Sequence, residues 1–248
     1  MFSRQLIGVI LSLFVFTMQA SASTYDATLD FSSTDNPNGV WSYGWVANIG
    51  DVFNLDMENG TWTFQGASYP GLDYWARNNI NYPIILNNST SEPIAVTRSG
   101  DPDLVFQPGQ LVQHPGSDNS YSLLRWTAPN TGKFLVDSVF MGIDTIGVSS
   151  DVHVVLNGTS IYDGYVNSYG DSSKQHFSDT LTLAAGDTID FAVGAGGNGY
   201  IADSTATAVS INLVPIPAAI YLLGSGLVMM LCMSKRLRDS HLRAEPGA

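Results

Sequence analysis

Between residues 23 and 213, apolar and polar positions alternate in twos, with little of the 3.6-residue rhythm of a helix. Trp41, Tyr43 and Trp45 alternate with Ser42 and Gly44, which puts three rings on one face of a strand. Trp62 and Phe64 begin a second alternation, and Ile94–Thr97 a short third one. In Tyr121–Thr127, Tyr121, Leu123 and Arg125 oppose Leu124 and Trp126, and the strand-turn-strand stretch from Arg125 to Phe134 runs on to Met141. Asp151–Leu156 and Thr159–Tyr162 flank Asn157-Gly158, the strongest short-range hairpin signal, because both turn positions take positive φ. Leu181–Leu183, the turn Ala184–Asp187 and Thr188–Val193 make a second hairpin. The glycine-rich segment 194–199 then leads to a last strand at Thr207–Leu213.

Short strands between turns imply one all-β domain, an antiparallel β-sandwich. Three stretches break the alternation. Asp35-Asn36-Pro37-Asn38-Gly39 and Ser99-Gly100-Asp101-Pro102-Asp103 read as turns. In residues 69–82, Tyr69, Tyr74, Trp75 and Tyr82 are interleaved with Pro70, Gly71, Asp73, Arg77 and asparagines, the composition of an irregular loop. Aromatic rings in a polar loop are exposed more readily than rings on a strand, so these four are the candidates for stacking on a ligand. Trp41, Tyr43 and Trp45 are expected in the core.

The two ends follow a different rhythm. Arg4 precedes the apolar run Leu6–Met18, and Ala20-Ser21-Ala22 has the small-x-small pattern of a signal peptidase site, so residues 1–22 read as a secretory signal helix. At the other end, Val214-Pro215-Ile216-Pro217-Ala218 interrupts any continuing secondary structure. An uncharged run from Ala219 to Met233 follows, closed by Lys235, Arg236 and Arg238. This order predicts a transmembrane helix with a cytoplasmic basic cluster. The run is shorter than the roughly 20 residues of a comfortable span. Residues 239–248 form a cytoplasmic tail, and 23–213 is the exported domain.

Composition narrows the chemistry. Of 22 acidic residues, all but Asp239 and Glu245 fall in the exported domain, where twenty acids face only Arg77, Arg98, Arg125, Lys133 and Lys174. Such a surface repels phosphate backbones and excludes nucleic acid as a partner, while suiting neutral sugars or divalent cations. The single cysteine, Cys232, lies in the apolar tail, so the exported domain holds no disulfide. No Gly-x-Ser-x-Gly, His-Glu-x-x-His or phosphate loop is present, and the expectation is a protein that is not an enzyme and carries no cofactor. His153 shares a strand face with Asp151 and reads as an outward polar residue. Asp187, Asp190 and Asp203, with Asn198, are the candidate calcium ligands, because hard cations take oxygen-rich turns.

Two resemblances bear on these residues. Val214–Arg238 resembles the sorting signal of PEP-CTERM proteins in its Val-Pro-Leu-Pro-Ala variant, with Ile216 in place of the leucine. That resemblance implies processing by an exosortase, export by a bacterium that makes exopolysaccharide, and a destination at the cell surface or in the extracellular matrix. The second half of the domain is similar to jelly-roll sandwiches of secreted bacterial proteins, including carbohydrate-binding modules. The similarity rests on Trp126–Gly132, Asp151–Gly158, Ala185–Phe191 and Gly196–Tyr200 with Asp203. Together they imply non-enzymatic binding of polysaccharide; the alternatives are a matrix or surface component whose acidic surface keeps it hydrated, without a ligand, and, ranked below it, a secreted carbohydrate-active enzyme.

Overall fold

A computed structural model describes residues 23–77, 82–97 and 102–215, together with Met230, Leu231, Ser234 and Lys235. Ser23–Val214 is one compact unit. The expected signal helix, Ile216, Pro217, Ala218, Arg236 and Arg238 lie outside the described residues, as does nearly all of the apolar run. Among the described residues, no helix is long and apolar enough to cross a membrane.

The described chain is all-β. Its strands are β1 (Thr24–Asp26), β2 (Trp41–Val46), β3 (Asn54–Leu55), β4 (Glu58–Phe64), β5 (Ala67–Ala76), β6 (Ile84–Asn88), β7 (Ile94–Thr97), β8 (Pro102–Phe106) and β9 (Leu111–His114), followed by β10 (Tyr121–Thr127), β11 (Gly132–Gly142), β12 (Ser149–Leu156), β13 (Thr159–Asn167), β14 (Gln175–Leu183), β15 (Thr188–Val193) and β16 (Thr205–Leu213). An eight-stranded sheet runs β14-β11-β16-β9-β6-β5-β4 with β1 added on β16, and a six-stranded sheet runs β13-β12-β15-β10-β2-β3. All pairings are antiparallel. Consecutive strands often change sheet, as β10, β11 and β12 do, so the two sheets are laced together.

Alternation explains why the sheets face each other. Trp41 and Tyr43 of β2, Leu124 and Trp126 of β10, Val152 and Val154 of β12, and Phe191 of β15 point inward from the smaller sheet. Trp75, Ile85, Leu111, Phe134, Val136, Phe140, Val209 and Ile211 meet them from the larger one. Trp126 is fully buried and packs edge-on against Phe134 at 5.1 Å and Tyr25 at 5.5 Å.

A second layer covers part of the outer face of the larger sheet. The β7–β8 hairpin packs Val96, Leu104 and Phe106 on Trp62, Leu72, Ile84, Leu86 and Val112. All five residues of β6 are therefore buried, Ile85 toward the first core and Ile84 and Leu86 toward the second.

The loop expected at 69–82 is corrected here: Tyr69, Tyr74 and Trp75 belong to β5, which pairs with β4 and β6. Pro70 and Gly71 suggested a break, but Gly71 at φ 85° is accommodated within the strand beside Thr90. The expected turn at 99–103 likewise gives way at Pro102, where β8 begins.

Strand register defines two poles of the unit. β1 lies against the Leu213 end of β16, with Thr24 opposite Asn212, so Ser23 and Val214 both sit at one pole. Thr205, at the other end of β16, lies opposite Gln113 and Gly142, roughly 27 Å away at 3.3 Å per residue.

Candidate functional site

The four aromatic candidates of residues 69–82 have different fates. Trp75 is 6% exposed, lies 6.2 Å from Tyr43 in a stacked arrangement, and donates its indole N–H to the Ser32 carbonyl at 2.6 Å. It is a core residue, because Trp75 and Tyr74 point to opposite faces of β5 and Trp75 faces the six-stranded sheet. Tyr74 is partly buried in the second layer and donates its hydroxyl to Glu58 Oε1 at 3.3 Å; burial, then Glu58, raises its pKa. Tyr69 packs on Trp62 at 5.6 Å, and Trp62 stacks on Phe64 at 5.4 Å.

Tyr82 lies elsewhere, immediately before β6. Its ring is half-buried and packs on His114 at 4.5 Å, and both rings meet Tyr200 at 6.0 Å. β6 and β9 bring the first two together, since Ile84 is opposite His114, while Tyr200 arrives on the segment that links β15 to β16. The His114 Nδ1 is 2.9 Å from the Pro115 carbonyl, which fixes it as the N–H donor, since a carbonyl only accepts. Tyr82 and His114 line a cavity of about 40 Å³ within the second layer, together with Trp62, Phe64, Leu86, Leu104 and Phe106 and with Asp144 and Ser204 as further polar members, and Tyr200 packs beside these two rings to complete an aromatic rim. The volume suits about one water or the end of a hydroxymethyl or methyl group. The rim and cavity stand at the pole opposite Ser23 and Val214, because Ser204 directly precedes β16 and His114 ends β9. His114 and Tyr200 were not among the sequence candidates; a Tyr directly after a glycine-rich link was the only local signal.

Charged groups on the same pole are paired. Arg77 makes a two-pronged ion pair with Asp118 at 3.0 Å, adds Ser120 Oγ at 2.7 Å and stacks over Trp45 at 4.1 Å. The Arg77 hydrogen bond holds Asp118 well below the usual carboxylate range. Asp56 differs: it is 2% exposed, neither carboxyl oxygen has a hydrogen-bond partner among the described residues, and burial pushes its pKa up to about 8 against the pull of Arg77.

The three candidate calcium ligands occupy three separate settings. Asp187 caps its hairpin turn, accepting from the Ala184 N–H at 2.7 Å and from Asn157 Nδ2 at 3.1 Å. Asp190 is paired with Arg125 at 2.6 and 2.8 Å, with Phe53 stacked on the guanidinium at 4.1 Å. Asp203 is fully buried and accepts from the Ser149 backbone N–H at 2.9 Å. Burial, with Asp144 and Asp151 nearby, pushes Asp203 up to about 6 although Ser149 opposes the shift. Asn157 and Ser149 flank opposite ends of β12, so Asp187 and Asp203 are roughly 25 Å apart and share no ion. Among the described residues, no three His, Cys, Asp or Glu side chains form a metal-binding group. Of the expected sorting motif only Val214 and Pro215 are described: the Val214 N–H donates to the Lys133 carbonyl at 2.8 Å, which ends the sheet one residue before Pro215.

No protein-family model and no curated protein matches this chain. Among solved structures it is similar to a CBM51 from Clostridium perfringens GH95 in complex with methyl-galactose, with a TM-score of 0.34 and 15% identity over 54% of this chain and 90% of that one. It is also similar to a family 35 carbohydrate binding module from Clostridium thermocellum, with a TM-score of 0.30 and 12% identity over 51% and 88%. A pika GITRL follows, with a TM-score of 0.25 and 18% identity over 38% and 74%. At these TM-scores none of the likenesses carries a ligand or a role to this chain.

Proposed function

We propose that this chain is an exported bacterial surface or matrix protein whose jelly-roll sandwich binds polysaccharide without catalysis. The carrying observation is the cluster of Tyr82, His114 and Tyr200 rings beside a small aromatic cavity that also carries Asp144 and Ser204. A pyranose offers an apolar C–H face to such rings while its hydroxyls take polar neighbours, and the small cavity accepts one projecting group. The rim's position at the pole opposite Ser23 and Val214 supports the reading, since a domain tethered beyond Val214 would leave that pole free for a ligand.

Delivery follows from the ends: signal peptidase removes residues 1–22, the apolar tail holds the protein at the membrane, and an exosortase processes the chain near Val214–Ala218. The mass of the C-terminal peptide recovered from cells and medium tests this; a tail intact to Ala248 in every fraction would remove the sorting step. Retardation of the protein in gels containing exopolysaccharide tests the binding. Tyr82→Ala and Tyr200→Ala should each weaken retention about tenfold, the value of one lost stacking contact near 1.4 kcal/mol. Retention unchanged by both substitutions would sink the assignment of the rim.

A further inference from the structure

On the outer face of the six-stranded sheet, His153 is clamped between two carboxylates. Its Nε2 lies 2.9 Å from Asp151 Oδ2 and its Nδ1 lies 2.6 Å from Asp163 Oδ1. An ionised carboxylate only accepts, so both contacts are hydrogen bonds only when both ring nitrogens carry protons, as in the imidazolium. Asp151 is also the anchor of the glycine-rich link: its Oδ1 accepts from the Gly196 N–H at 2.8 Å, and its backbone carbonyl accepts from the Gly194 N–H at 2.8 Å. Both contacts demand close approach, since a Cβ on Gly194 would stand 2.4 Å from Asp151 Oδ1.

We infer that His153 is a positioning residue for the aromatic rim, a proton-dependent latch that fixes Asp151, hence the 194–199 link, and hence Tyr200. This inference rests on the rim as the binding site. The groups facing the imidazole come from every neighbouring element: Asp151 on β12, Asp163 with Ser160 on β13, Tyr121 on β10, and uncharged Ala192 opposite on β15. Tyr121 adds a hydrogen bond from its hydroxyl to Asp151 Oδ2 at 2.7 Å, so that oxygen keeps a donor when the imidazole loses its proton, as Oδ1 keeps the Gly196 N–H, and the latch loosens without coming apart. Beyond the link, Asp203 feels the charge of Asp151, and Asn198 and Asp203 both contact Ser149 Oγ. Burial alone would lower the pKa of His153, but hydrogen bonds to Asp151 and Asp163 raise it above its ordinary value. The latch therefore loosens as pH rises through that raised value.

The test is NMR titration of the purified full chain between pH 5 and 10, following the His153 ring and the Gly194 and Gly196 amides. The amides should move with the same midpoint as the ring, and Gly196 exchange, corrected for hydroxide catalysis, should rise about tenfold on the alkaline side. Asp163→Asn changes an exposed side chain, so the fold is kept, and it should lower the midpoint. Glycine amides that stay flat through the ring's titration, or a midpoint unmoved in Asp163→Asn, would overturn the latch. A latch that titrates as expected in a protein showing no polysaccharide retention at any pH would instead overturn the rim as the binding site.

Discussion

The two apolar layers on either side of the eight-stranded sheet are built to different standards. The inner one is closed: Trp41, Tyr43, Trp126, Phe134, Phe140 and Phe191 are essentially unexposed and interlock across two laced sheets. The outer one is a two-stranded cover over part of a sheet, with Tyr69, Tyr74 and Tyr82 only partly buried and a small cavity left inside. Full burial on both sides fixes a scaffold, whereas a thin cover with a partly polar gap leaves surfaces that a ligand can complete.

The largest expected effect breaks the inner layer. Trp126→Ala removes a fully buried indole from between Phe134 and Tyr25 and should cost about 3–5 kcal/mol, read as a lowered denaturant midpoint. A cost below about 1 kcal/mol would mean that the two sheets are not packed on one another.

The outer layer depends on a different kind of residue. Asn88 is fully buried; its Nδ2 donates to the Glu92 and Phe106 carbonyls at 2.9 Å each, and its Oδ1 accepts from Thr90 N–H and Oγ1 at 2.9 and 2.7 Å. Three of these bonds hold the loop that leads from β6 to β7, and the fourth ties the end of β6 to β8 of the hairpin. Asn88→Ala should cost about 2–3 kcal/mol and loosen the hairpin ahead of the sandwich, because carbonyls left buried without donors carry the full desolvation penalty. Hydrogen exchange that stays equally slow in β8 and in β10 would show the two layers to be one cooperative body.

These two residues also mark what the sequence disclosed. β10 and β15 were legible to the residue, since each has one face in the inner core, an alternating or hairpin-bounded pattern and flanking turn residues. β6 was not legible, because burial on both faces erases alternation, and the strand ends on two asparagines, Asn87 and Asn88, that are both buried. Trp75 misled for the same reason: Pro70, Gly71 and Asp73 disguised β5, and only pairing with β4 and β6 shows which face each ring takes. At the candidate rim, Tyr82 was visible as an aromatic beside a turn. His114 and Tyr200 were not, since nothing local joins residues 86 positions apart that β9 and the link to β16 bring within 6.0 Å.

Asp56 sharpens the comparison most finely, because it asks how dry the inner layer is at its seam. Its N–H donates to the Tyr43 carbonyl of β2 at 3.0 Å, and the next residue, Met57, bonds to Ala76 of β5, so its carboxyl is held where the two sheets join. There it has no hydrogen-bond partner among the described residues, and burial raises its pKa to about 8. A folded value above the unfolded one means that the folded chain holds a proton the unfolded chain releases. The stability this adds is complete below about pH 4 and is lost as pH rises toward 8. Asp118 and Asp151, whose pKa values are lowered, act in the opposite sense at acid pH. Asp203, pushed up to about 6, and His153, also raised, act in the same sense as Asp56, so the substitution of Asp56 isolates its share of the window between about pH 5 and 8. Asp56→Asn keeps the shape and removes the charge. It should add about 1–2 kcal/mol at pH 8, leave stability at pH 5 nearly unchanged and flatten the profile between. A substitution that destabilises equally at both pH values would mean that the carboxylate is charged and satisfied by Arg77, and that water reaches the seam of the inner layer as it reaches the outer one.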